Sequence, residues 1–255
     1  MTPKDSRGEM ILRYQNLYEQ YSRLQFTRPQ DRPIAIDGIQ NRLLDALHKN
    51  QKASGGFGVF DDGPTGGLLH RSLLWHRDRH ATETVFSRIL FPPNRDRARG
   101  VMAAPPSWSW MAYTGAIQYI EAGFDQYNWV EVQSPWSRGP SGKQHLGLSP
   151  ALTMGGNDNV SLMAKLYDIV SAQEAITKLY YDQPGGSEKV ALQCIVVAIK
   201  KPERSQTMEE RPHYVMMVKP KASGDRVGMK VYERIGVGEV LGRSLAARGT
   251  TIRIV

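Results

Sequence analysis

Cysteine is nearly missing from these 255 residues: one, Cys194, stands inside the apolar run VALQCIVVAI. No disulfide can form within the chain, so burial and hydrogen bonding must hold it together. A reducing, cytoplasmic compartment is expected, with an inert buried thiol. No stretch approaches the roughly 18 consecutive apolar residues of a membrane span. The opening MTPKDSRGEM is polar, unlike a secretory signal. The motifs that announce common chemistries are also lacking: HExxH, CxxC, GxSxG, a P-loop, or GxGxxG opening a helix. Neither a cofactor nor a metal is expected.

Acidic residues are outnumbered, 25 against 33 Lys and Arg, giving a formal charge of +8. That balance suits an anionic partner. The basic residues are scattered, however. Their densest group, Arg95, Arg97 and Arg99, has Asp96 inside it, and no nucleic-acid-binding pattern is visible. A nucleic-acid partner is therefore not expected, and a hydrophobic small molecule is.

What is present divides the chain by period. Residues 8–25 carry Ile11, Tyr14, Leu17, Tyr18, Tyr21 and Leu24 at helical spacing. The prolines of 27–33 interrupt that pattern. Helices are expected again over 36–49 and 67–79, with a flexible glycine-rich connection between them. From Trp108 the period becomes two. Strands are expected over 115–122, 127–133, 160–170, 189–200, 213–219, 227–235 and 250–255, with loops at 135–159 and 201–212. The fold class is α+β, mainly β: N-terminal helices packed on an antiparallel β-barrel or sandwich. One domain spans 1–255, helical over 1–90 and β over 104–255.

The stretch APPSWSWMAYTG (104–115) is the most unusual. Pro105 and Pro106 favour an extended backbone before them. On a strand, Trp108 and Trp110 would face one side together, either as core beneath the helices or as the wall of a cavity. Carboxylate pairs are less informative: Asp61 and Asp62 sit in a glycine turn, and Glu209 and Glu210 in a charged loop. Glu121 and Glu131 lie on alternating strands that could turn them inward. His76 and His80 share a face if 67–79 is helical, but no third ligand accompanies them.

Three segments together, YEQYSRLQFTRPQDRPIAIDGI (18–39), GGLLHRSLLW (66–75) and PPSWSWMAYTGAIQY (105–119), resemble the fungal heterokaryon-incompatibility (HET-domain) proteins. YERIGVG (232–238) and the closing TIRIV resemble the end of their β-rich tail. Leu69 stands where the family usually has tryptophan, and Pro33 where it has leucine. The resemblance covers the region behind the family's TIR-like segment, so nothing carries over for nucleotide chemistry.

Two functions follow as expectations. One is a stand-alone cyclase of fungal secondary metabolism that forms rings by an intramolecular [4+2] (Diels–Alder) reaction on a terpene or polyketide. It would work by holding the reacting ends together and donating hydrogen bonds to an activating carbonyl. For it, His70, Arg71 and Tyr113 are the candidate catalytic donors, and Trp75, Trp108, Trp110, Tyr119 and Trp129 the candidate substrate-binding wall. The other is an interaction module in self/non-self recognition.

Overall fold

The computed structural model describes residues 6–48, 53–63, 66–81, 85–91, 104–136, 160–170, 176–183, 192–203, 205–221 and 230–255. The expected Arg95–Arg99 cluster and nearly all of the 135–159 loop lie outside them. Two long helices lead. Helix α1 (Ser6–Ser22) buries Ile11, Tyr14 and Tyr18, and α2 (Arg32–His48) buries Ile36, Gln40 and Leu47. Both follow the three-to-four-residue spacing of a helix with one face on a core. Pro33 sits in the first turn of α2, where its missing N–H costs nothing.

The glycine-rich connection is not a flexible linker. It forms a hairpin of β1 (Ser54–Gly56) and β2 (Val59–Asp61). Phe57 and Gly58 turn it with positive φ at both positions, 54° and 73°, the two-residue geometry that matches strand twist. Gly58 N–H donates to the buried Gln40 amide at 2.6 Å. A side chain at Gly58 would overlap the Trp110 indole.

The expected helix over 67–79 is cut short. Helix α3 covers Leu68–Leu73, and β3 (Trp75–Arg77) then pairs antiparallel with β4 (Ile117–Tyr119). His76 and His80 are therefore not one helical turn apart. His76 stacks on Tyr180 at 4.0 Å, while His80 is exposed.

The remaining elements are β5 (Tyr127–Trp129), β6 (Val132–Gln133), β7 (Leu162–Ile169), β8 (Ile176–Tyr181), β9 (Gln193–Lys200), β10 (Pro212–Pro220), β11 (Val231–Leu241) and β12 (Leu245–Ile254). They form an eight-stranded sheet in the order β5-β9-β10-β11-β12-β7-β6, with β8 beside β11. Strand β7 also pairs with β9, Tyr167 opposite Cys194. The fold is thus mixed, with strands predominating.

Pairing is antiparallel with one exception: β11 and β12 meet parallel over Val231/Arg253 and Tyr232/Ile254. An irregularity between Ala247 and Thr251, with Gly249 at φ 66°, bends β12 off a straight antiparallel course.

Alternation explains the long apolar strands. Ile195, Val197, Tyr214, Met216 and Val218 join one core cluster, while Cys194, Val196, Val215 and Met217 join another on the opposite face. Both faces are covered, so every second residue has no polar partner to seek. Burial pushes the Cys194 thiol well above its ordinary range, leaving it inert.

Candidate functional site

The two tryptophans do not share a wall. Residues 107–112 form a turn and a 3-10 helix (Trp110–Ala112) instead of a strand. Ser109 causes this, because its hydroxyl accepts from Met111 N–H at 3.1 Å and donates to Phe57 O at 2.6 Å. Without a two-residue repeat the rings diverge. Trp108 enters the sheet core beside Phe57 and Trp136, and Trp110 enters the helical core beside Tyr18. Trp75, Trp108 and Trp110 have no exposed surface.

Trp75, Trp110, Tyr113 and Tyr119 gather in the helical core, where Trp75 lies 5.4 Å from Tyr113 and opposite Tyr119 on the paired strand. Tyr119 joins Trp110 in the helical core, 6.3 Å from Tyr14, with its hydroxyl buried and unpartnered. Tyr113 stacks on Phe86 at 5.3 Å, and its hydroxyl donates to Ser107 O at 3.5 Å. Burial raises its phenol far above neutrality. Glu121 and Glu131 face solvent, not the interior. Asp61 and Asp62, expected to be solvated, are buried: Asp62 accepts Leu68 N–H at the start of α3 and pairs with Arg7, and Asp61 accepts from Ser134.

Three further candidates come together away from that core. His70 stacks on Trp129 at 5.2 Å, and the Arg71 guanidinium lies 5.1 Å from that ring and 4.3 Å from Phe124. Arg71 donates to the Ala122 and Gly123 carbonyls at 2.5 and 3.4 Å. His70 Nε2 bonds Val130 O at 2.7 Å and its Nδ1 has no partner. Burial lowers the pKa of both side chains, keeping the imidazole neutral.

Two arginines outside the expected set organise the molecule. Arg234, wholly buried, grips Asp182 through Nε (3.0 Å) and Nη2 (3.1 Å). It also donates to the Leu73 and Trp75 carbonyls and lies 3.4 Å over the Trp75 ring. Burial pushes the Asp182 carboxyl up against the opposing pull of Arg234. This pair ties α3 and β3 to the large sheet, and explains why the helix ends at Leu73.

Arg32, only 2% exposed, has no carboxylate partner among the described residues. It donates to the Tyr113, Ser22 and Gly115 carbonyls at 2.8, 3.1 and 3.0 Å and lies 5.0 Å from the Trp110 ring. Its Nε–H has no acceptor. Burial draws its pKa down to about 10, so it stays charged at neutral pH. Arg32 lines an open cleft of about 280 Å³ with Leu24, Gln25, Phe26, Pro29 and Val85. The tryptophan segment therefore supports the back of a cleft through Trp110, Tyr113 and Gly115, and does not itself line a chamber as an indole wall. Sequence reasoning missed Arg32, whose only local signal is an arginine before the proline of a helix start.

No group of three potential metal-binding side chains exists among the described residues, and no helix there is long and apolar enough to cross a membrane. Comparison with protein-family models, curated proteins and solved structures finds no match for the chain.

Proposed function

We propose that this protein is a cyclase for a hydrophobic polyene, acting by positioning and by hydrogen bonding to an activating carbonyl, with its site at the Arg32 cleft. The observation that carries the reading is a buried arginine, without a carboxylate partner among the described residues, bordering an open cleft whose lining mixes Leu24, Phe26, Pro29 and Val85 with the polar Gln25 and Thr114. A [4+2] closure turns the π bonds of a diene and an alkene into two new carbon–carbon σ bonds and one relocated π bond, without proton transfer. The protein therefore needs to supply only confinement and a donor at the electron-withdrawing group. The His70–Arg71–Trp129 corner sets a guanidinium beside an indole as well, and is the second place where such a substrate could be held.

The test is incubation with linear substrates bearing a diene and an electron-poor alkene. Acceleration over the uncatalysed closure, reduced by Arg32→Gln but not by Arg71→Gln, is expected. Closure at the background rate with every substrate would overturn the reading.

Full burial of the tryptophan motif favours a second reading, the interaction module of a heterokaryon-incompatibility relative, because the motif then marks a fold and not a reaction. A vegetative-compatibility assay between fungal strains with and without the gene separates the two. The β7–β9 pairing, which returns the path β9-β10-β11-β12-β7 to its first strand, supports reading the sheet as a small closed barrel. Slow amide exchange at Tyr167 and Cys194 would accord with closure, and fast exchange at both would refute it.

A further inference from the structure

The geometry points to a carboxylate as the group recognised in the Arg32 cleft: we propose that the cleft binds a monoanionic carboxylic acid with an apolar body. This deepens the reading above by naming the substrate class, and it rests on that reading only for the claim that binding leads to reaction.

Charge balance is the first argument. Arg32 is the one cationic side chain among the residues lining the cleft. Its charge is met by three carbonyl oxygens, from Tyr113, Ser22 and Gly115, and by the face of Trp110. Those groups solvate a cation but do not neutralise it. A guanidinium removed from water without a counter-ion is a costly arrangement that buried arginines generally avoid.

Valence is the second. A guanidinium has five N–H donors, and three bonds to protein are made here. The Nε–H is left without an acceptor. An incoming carboxylate would bring a counter-charge to the guanidinium from the cleft side, in the charge-assisted pairing that arginine favours. A phosphate dianion would exceed the single positive charge present.

Shape is the third. Leu24, Phe26, Pro29 and Val85 give the cleft its apolar lining beside the polar Gln25 and Thr114; Val85 is 83% exposed, and its neighbour further along the chain, Leu90, is 84% exposed. Gln30 fixes that neighbour by donating to Leu90 O at 3.0 Å. Exposed aliphatic side chains flanking a buried cation fit an amphipathic acid better than a hydrophilic metabolite.

The test is titration of the full chain with 4-phenylbutanoate and with 4-phenylbutanol, followed by calorimetry and tryptophan fluorescence. The acid is expected to bind at least about tenfold more tightly than the alcohol. Arg32→Gln should erase that preference. Because Arg32 also ties α1 and α2 to residues 113–115, Val85→Asp provides a second variant at an exposed position. It should weaken the acid at least about tenfold more than it weakens the alcohol, which loses only an apolar wall. Equal affinity for acid and alcohol, absence of binding by either, or indifference to Val85→Asp would overturn the proposal. These readouts involve no turnover. Acid-selective binding with no cyclisation would sink the cyclase and keep the site, whereas cyclisation of an acid and its methyl ester at equal rates would do the reverse.

Discussion

Removing Asp182 should unfold the junction between the small strand pair and the large sheet, and the cost can be worked from its contacts. Asp182 and Arg234 expose 2% and 0% of their side chains and meet through two nitrogen–oxygen contacts near 3 Å. Breaking one partner of such a pair costs about 3–5 kcal/mol, because the survivor is a buried charge without compensation. For a chain of this size that lowers the melting temperature by roughly 6–20 °C. Arg234→Met should cost more than Asp182→Leu. It also orphans the Leu73 and Trp75 carbonyls, each worth about 1–3 kcal/mol when buried unbonded. The double variant Asp182→Leu/Arg234→Met removes both charges, and should be more stable than the sum of the singles predicts by about 2–3 kcal/mol. Urea titrations followed by circular dichroism give the cycle, and Trp75 fluorescence reports on the guanidinium over its ring. Energies that add within about 0.5 kcal/mol would refute the clamp.

Other outcomes follow from the same contacts. Trp108→Ala and Trp110→Ala should each destabilise by about 3–5 kcal/mol, as large cavities in a core do, and thermal melts will show whether either ring is dispensable. Gly58→Ala should cost about 1–2 kcal/mol or more, since φ is 73° and the new methyl meets the Trp110 indole; chemical denaturation measures it. Acid should weaken the fold before carboxylates titrate. Burial lowers the pKa of His70, His76 and His213 from 6.5, so the unfolded chain takes up protons that the folded one refuses. Their contribution is complete above about pH 6.5 and declines as pH falls from there, by up to about 1.4 kcal/mol per unit for each histidine. Urea midpoints at pH 7.5 and 5.5 should therefore differ, and a flat profile would contradict the assignment.

Periodicity carried a good deal of this architecture. Ile11, Tyr14 and Tyr18 marked α1, Ile36 and Leu47 marked α2, and the runs around Cys194 and Met216 marked two central strands, because each satisfies a local repeat set by backbone geometry. What failed depended on partners far along the chain. Leu68 to Arg77 has an apolar stripe that reads as one helix, yet Ile117–Tyr119 claims its second half as a strand and Arg234 claims the carbonyls of Leu73 and Trp75. The hairpin at 54–61 looked like linker because Phe57, an unusual residue at positive φ, hides its turn. Ile176–Tyr181 is a strand outside the expected set, although its threonine and two tyrosines favour one. Of the expected site, His70, Arg71 and Trp129 meet in one place, while Trp75, Tyr113 and Tyr119 meet in another, inside the helical core.

The difference between Arg32 and Arg234 shows why charge in a sequence is a poor guide to sites while charge in a structure is a better one. Both are buried arginines donating to main-chain carbonyls, and both lie over a tryptophan ring. Arg234 has Asp182 and so completes its own electrostatics inside the protein, which makes it part of the scaffold. Arg32 has the same solvating shell without the carboxylate, and it borders an open cleft whereas its counterpart is sealed. If Arg32 were only a clamp, an uncharged donor such as glutamine could serve one or two of its carbonyls without the desolvation cost of a cation. An internal carboxylate would relieve that cost as Asp182 does. That neither is found among the described residues favours a counter-ion arriving from solvent. Introducing a carboxylate at Val85 should then mimic it: Val85→Asp is expected to raise the melting temperature of the ligand-free chain while abolishing the further rise produced by 4-phenylbutanoate. A variant no more stable than the parent, and still stabilised by the acid, would show that the guanidinium lacks nothing.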